Sequence, residues 1–173
     1  MITHTRRLFY TVFAARWDVP ATIYKRLFSH GLIAIGDKAS TTKVFTAADV
    51  KSFAELTGDV NPIHVDAGTA RESRFGACIV HGVLTVGLLS SVMGVKLPGP
   101  GSIVLSYDIV HPEPLFVDEL VKAEVTVKQV KGRQMTLDLL CTSCRGKVVT
   151  KGVARLFVPK HKVKDYSKRA KTE

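Results

Sequence analysis

The sequence predicts an α+β fold, an antiparallel sheet packed on one long buried helix, and three observations predict it. Residues 83–93 are apolar nearly all round, with small residues at Gly87, Ser90 and Ser91. Such a tract reads as a buried helix, and glycine within it points to close packing. After Ser102 the pattern shortens to runs rich in Val, Ile, Leu and Thr, over 102–111, 119–129, 134–142 and 147–158. These are strand signals. Lys131-Gly132 and Arg145-Gly146 mark short turns between runs, which favours antiparallel neighbours. A sheet with one face to bury against such a helix makes a two-layer domain.

Taken in chain order, residues 1–30 carry five Lys/Arg and one Asp, with Leu8, Phe9, Val12 and Phe13 on one helical face. That pattern is similar to a mitochondrial presequence, with a membrane-surface helix as the rival. The expected folded body is 31–159, and a further strand is expected before Thr46. Phe45-Thr46-Ala47-Ala48-Asp49-Val50 is a helix start: Thr46 caps, Asp49 stands at the third helical position, and Phe45 staples onto Val50. Gly58 ends that helix.

TGDVNPIHVD, residues 57–66, follows directly. Pro62 has no N–H and drives Asn61 out of the helical region, so the chain must turn. Asn61 can brace the turn and Asp66 can cap the next helix. A braced loop can aim Asp59 and His64 at one point; on local grounds a polar turn and a reactive site remain equally good descriptions. Ile79-Val80-His81-Gly82-Val83 then places Gly82 at the start of the long helix, where an unpaired amide suits a developing oxyanion. Ser90 is a polar group in an apolar tract, but no G-x-S-x-G elbow surrounds it, so it is not a hydrolase nucleophile.

The chain has 173 residues and 46 % apolar content, enough to bury one core. No apolar run reaches membrane-spanning length, so stable membrane insertion is not expected. Cysteines at 78, 141 and 144 do not describe a disulfide framework, and 141–144 reads as a turn between strands. Net charge is +10, but residues 31–159 hold fourteen basic against twelve acidic groups. The basicity sits at the ends, including a solvated tail over 160–173. No aromatic–basic module accompanies it, which argues against nucleic acid as the partner.

The run from Phe53 through Asp59, Asn61, Pro62, His64 and Asp66, with Ile79-Val80-His81-Gly82 to Ser90 and Leu97-Pro98-Gly99-Pro100-Gly101, resembles the MaoC-like (R)-specific enoyl-thioester hydratases. Within them it is most similar to the mitochondrial hydroxyacyl-thioester dehydratases of type 2. The resemblance covers roughly residues 32–158. It implies a hotdog fold, a curled sheet around a central helix, paired as a homodimer. It also implies Asp59 and His64 as the catalytic pair, the Gly82 amide as oxyanion donor, and Ser90 as their support. Asn61, Val80 and His81, with Leu97, Gly99 and Gly101 near the pantetheine entrance, become expected substrate contacts. The implied reaction is reversible dehydration of (3R)-hydroxyacyl thioesters, with no metal or redox cofactor. Acyl carrier protein in the mitochondrial matrix is the expected carrier, and coenzyme A esters the nearest alternative. A non-catalytic hotdog module with RNA affinity is the alternative outside enzymes.

Overall fold

The computed structural model describes residues 32–163. The presequence reading of residues 1–30 lies outside them, as does the tail beyond Val163. Five strands form one antiparallel sheet: β1 (Lys38–Val44), β2 (Ile103–Val110), β3 (Leu120–Lys131), β4 (Gln134–Ser143) and β5 (Val148–Phe157). Their spatial order is β1-β3-β4-β5-β2, so β1 and β2 are the edges. The helices are α1 (Ala47–Thr57), α2 (Pro62–Val65), α3 (Ala67–Glu72) and α4 (Gly82–Val95). The expected α+β hotdog arrangement is therefore present, including the strand before Thr46.

Alternation fixes which face of the sheet is inward. Val121, Ala123, Val125 and Val127 of β3 are buried, as are Met135, Leu137, Leu139 and Cys141 of β4. They meet Leu88, Leu89, Val92 and Met93 of α4 in one core. Full burial of one such side chain stabilises by about 1.5–3 kcal/mol. Register shifts at Val104/Ser106, Val127/Gln129 and Cys141/Thr142 mark bulges, which bend and twist the strands around the helix.

The start of α1 is built as its sequence dictates. Thr46 Oγ1 accepts from the Asp49 amide at 3.2 Å, and Asp49 Oδ2 accepts from the Thr46 amide at 3.0 Å. The backbone hydrogen bond from Thr46 holds the Asp49 carboxyl below its ordinary range. Gly58 closes the helix in the left-handed region at φ 80°, its amide donating to the Ala54 carbonyl.

Three expectations need correction. The long helix is not buried all round: Val83, Gly87, Ser90, Ser91, Gly94 and Val95 are exposed. A tract apolar on every side has no period to distinguish the face on the sheet from the other. A β-carbon on Gly87 would meet nothing within 4 Å, so the close packing inferred from that glycine is not found among the described residues. Second, 141–144 is not a turn throughout: Cys141 belongs to β4, as the strand run 134–142 predicts, and is fully buried, while Cys144 lies beyond the strand. Burial pushes the Cys141 thiol up to about 12, which makes it inert as a nucleophile. Third, the solvated tail does not begin at Lys160. Residues 160–163 remain docked: Lys162 Nζ donates to the Pro98 carbonyl at 2.6 Å, its own carbonyl accepts from the Ile33 amide, and Val163 is buried. One buried apolar residue and one long stem hold down a stretch that charge alone assigns to solvent.

Candidate active site

The turn after α1 is a ladder of short side-chain bonds. The Asp59 amide donates to Thr57 Oγ1 at 3.3 Å, and the Asn61 amide donates to Asp59 Oδ1 at 3.4 Å. Asn61 Oδ1 caps α2 by accepting from the Ile63 amide, with Pro62 at the first helical position. Asp66 caps α3, and the Thr69 amide holds its carboxyl below the ordinary range. TGDVNPIHVD is thus a braced turn. It also presents His64 and leaves the Asp59 side chain 54 % exposed.

His64 is oriented from behind. Its Nδ1 lies 2.7 Å from the Ile79 carbonyl oxygen, which can only accept, so Nδ1 carries the hydrogen. Nε2 is left with its lone pair. Beneath it lies His81, 2 % exposed, with ring centroids 3.9 Å apart and planes at 29°. Phe53 of α1 touches His81 from another side, centroids 4.9 Å apart. His81 Nε2 donates to the Asp59 backbone carbonyl at 3.0 Å and stands 3.9 Å from Asp59 Oδ2. The same histidine thus packs under one proposed reactive group and fixes the backbone of the other. Its Nδ1 is buried without a hydrogen-bond partner among the described residues.

One ring nitrogen from each histidine and one Asp59 oxygen lie within 4.8 Å of one another. His64 Nδ1 and His81 Nε2 are each committed to a backbone carbonyl. The set therefore suits proton chemistry better than a common cation.

Gly82 follows His81 as the first residue of α4, and among the described residues no acceptor meets its amide. The helix start leaves that N–H available, backed by the positive end of the helix. The structure thus brings Asp59, His64, His81 and Gly82 to one end of α4. Val80 is in the core, 4 % exposed, its amide donating to the Leu115 carbonyl. Ser90 stands on the exposed face of α4, eight residues beyond Gly82 and roughly 12 Å along the axis. Leu97 and Gly99 are buried, and Gly101 is exposed, in the loop after α4, roughly 20 Å along the helix from Gly82. Within one chain that loop is remote from Asp59 and His64.

Sequence reasoning missed three residues beside the site. Thr85 and Thr150 are buried and bonded to each other, and His111 faces Gly82. A threonine one turn into a mostly apolar helix was the local signal for them.

The family described as MaoC like domain matches residues 33–142. The chain belongs to the MaoC-like family. Its relatives include a 3-hydroxybutyryl-CoA dehydratase of Methylorubrum extorquens, 38 % identical over 71 % of this chain and 79 % of that protein. A mitochondrial 3-hydroxyacyl-[acyl-carrier-protein] dehydratase of Solanum lycopersicum, FERN, is 29 % identical over 76 % of this chain and 81 % of that one. Among solved structures, the (R)-hydratase from A. caviae involved in PHA biosynthesis superposes with a TM-score of 0.72. It is 36 % identical and covers 73 % of this chain and 98 % of its own.

The MaoC-like site rests on a second layer that can be tested through pH. The Cys78–Val80 segment, whose Ile79 carbonyl orients His64, is pinned to the loop before β3: Val80 donates to Leu115 and Val117 donates to Cys78. That loop is held by Glu119, whose carboxylate takes Arg145 in bidentate fashion at 2.6 and 3.1 Å. Burial pushes Glu119 up, but bonds from Arg145, the Phe116 amide and Ser143 outweigh it, so the carboxyl lies below its ordinary value of 4.5. A folded-state value below the unfolded one stabilises fully above 4.5, and the gain is lost as pH falls through the folded value. Glu119→Gln is therefore expected to lower stability at neutral pH and to flatten its decline below pH 4.5. Urea titrations across pH check this, and an unchanged acid slope would contradict it.

Proposed function

We propose that this chain catalyses the reversible dehydration of (3R)-hydroxyacyl thioesters to trans-2-enoyl thioesters. The observation that carries the reading is the hydrogen bond from His64 Nδ1 to the Ile79 carbonyl, which leaves Nε2 as the base, on a ring that has one nitrogen within 4.8 Å of an Asp59 carboxylate oxygen. In dehydration, His64 Nε2 takes the proton from the carbon next to the thioester carbonyl. The electron pair moves onto the thioester oxygen, where the Gly82 amide receives the developing charge. Such a donor contributes about 3–4 kcal/mol to a transition state. The pair then returns and the carbon–oxygen bond on the next carbon breaks. Asp59 orients the departing hydroxyl, and the proton held by His64 completes a water molecule. Both side chains end as they began.

Acyl carrier protein is the proposed carrier and the mitochondrial matrix the proposed location. The presequence-like residues 1–30 and the tomato relative support that reading. The Methylorubrum relative, named for a coenzyme A ester and more similar in sequence, favours coenzyme A as the second reading. Steady-state kinetics on the same 3-hydroxyacyl group, carried each way, separates them. The carrier-protein ester is expected to give the higher kcat/KM, and a tenfold preference for the coenzyme ester would reverse the assignment.

The catalytic unit is proposed to be a homodimer. Edge strand β2 exposes Ile103, Leu105, Tyr107 and Val110, and α4 exposes Val83 and Val95. Large apolar residues on an unpaired edge invite another strand, and a second copy would cover them. Light scattering is expected to give twice the chain mass, and a monomer at micromolar concentration would contradict the proposal.

A further inference from the structure

Three polar side chains run from the surface to Gly82, and the chemistry above uses none of them. Thr85 Oγ1 donates to the Gly82 carbonyl at 2.6 Å. A carbonyl only accepts, so the single Thr85 hydroxyl proton is committed there. Thr85 Oγ1 also stands 2.6 Å from Thr150 Oγ1, and that bond must use the Thr150 proton. Thr150 can then only accept from His111, whose Nδ1 lies 3.0 Å away and so carries a hydrogen. The direction of the whole chain follows by exclusion: His111 Nδ1–H to Thr150, Thr150 to Thr85, Thr85 to the Gly82 carbonyl. Thr85 and Thr150 are 1 % and 0 % exposed, which shields these bonds from water.

His111 meets Gly82 a second time. A β-carbon built on Gly82 would stand 3.1, 3.1 and 3.2 Å from His111 Cε1, Nε2 and Cδ2. Three ring atoms at nearly one distance mean that the imidazole lies face-on against the glycine. One side chain therefore packs on the α-carbon of Gly82 and, through two threonines, holds its carbonyl. Glycine has no β-carbon to restrict its own torsions, so its amide direction depends on outside contacts. Those contacts come from the residue after β2, from β5 and from α4 itself, so three elements converge on one residue, whose α-carbon joins the held carbonyl to the amide.

We propose that His111 is a positioning residue for the thioester-hydration site. Through Thr150 and Thr85 it locks the first turn of α4 and pre-aims the Gly82 amide at the thioester oxygen. This rests on the proposed function, in which Gly82 is the oxyanion donor. An oxyanion donor accelerates only when it is already aimed, and misplacement by about 1 Å can cost up to about 100-fold. A merely structural threonine pair would affect stability and leave turnover per folded molecule unchanged.

The test uses the full chain with crotonyl-CoA as probe. Thr150→Val keeps the shape of Thr150 and removes the hydroxyl. His111→Phe keeps a ring on Gly82 and removes the Nδ1 donor, and His111→Asn keeps a donor near the Nδ1 position. Thr150→Val and His111→Phe are expected to lower kcat by about 10- to 100-fold with KM within about threefold, and His111→Asn to recover most of that loss. If wild type is active and both variants keep its kcat per folded molecule, the inference is overturned. If wild type is inactive on the crotonyl group carried by coenzyme A and by acyl carrier protein alike, the proposed reaction fails instead, and nitrogen NMR of the imidazoles still decides the relay. A proton on His111 Nδ1 supports it, and a proton on Nε2 alone overturns it.

Discussion

His64→Ala is expected to lower kcat for hydration of a crotonyl thioester by about 10²–10⁴-fold, the usual range for a positioned general base. His64 lies on a short helix between two caps, and its ring rests on His81 without entering the apolar core. The variant should therefore fold, so the loss will appear in turnover and not in yield. Asp59→Asn should cost a comparable factor by a different route. The amide preserves the shape and the bond from the Asn61 amide but lacks the charge that orients the leaving hydroxyl. KM should change little in either case, because each group acts on atoms whose charge changes in the transition state. The two losses should not add, since a base without an oriented leaving group and the converse both stall the same step. A loss below tenfold in either variant would remove that residue from the mechanism.

Gly152→Ala is expected to destabilise the fold by about 3 kcal/mol, near the top of the usual range for overpacking. Gly152 lies in β5 between Ile109 of β2 and Leu139 of β4. A β-carbon there would overlap the Asp108 carbonyl oxygen and press on the Ile109 α-carbon. Both are backbone atoms of the neighbouring strand, and no rotamer change can move them. Relief requires β2 to separate from β5 at that point, and among the described residues β2 is an edge strand whose one ladder is with β5. The apolar residues of β2 would then be left for other chains to pair with, so aggregation should accompany the loss. A fall in melting temperature on the order of 10 °C corresponds to this penalty. A change below 1 kcal/mol in urea unfolding would show that the sheet accommodates the methyl group.

Much of this molecule is legible in the sequence because its signals are local. The four strands after Ser102 end within a few residues of their predicted limits, since alternation and glycine turns are nearest-neighbour properties. The Thr46 cap, the Gly58 stop and the Asp66 cap are legible for the same reason. Cys141 falls under both the strand run 134–142 and the turn reading of 141–144, because two apolar strands and the turn between them form one continuous pattern. The exposed face of α4 was hidden by uniform composition: Val83 and Val95 look the same in sequence as Leu88 and Leu89. The site divides in the same way. Asp59 and His64 sit in one short turn and could be paired by eye. The His111–Thr150–Thr85 chain joins residues up to 65 apart, and only the sheet brings them together. His81 lies buried beneath His64. Its spacing within the sequence carries no hint of that depth.

The most direct test of the central claim is hydration of a trans-2-enoyl thioester by the purified chain, followed with resolution of the product's configuration. Wild type should convert crotonyl thioester on at least one carrier to the (3R)-3-hydroxybutyryl thioester, and Asp59→Asn should slow the conversion by about 10²–10⁴-fold while remaining folded. Inactivity of wild type toward both carriers, or full activity of Asp59→Asn, would contradict the assignment of Asp59 and His64 as the reacting pair.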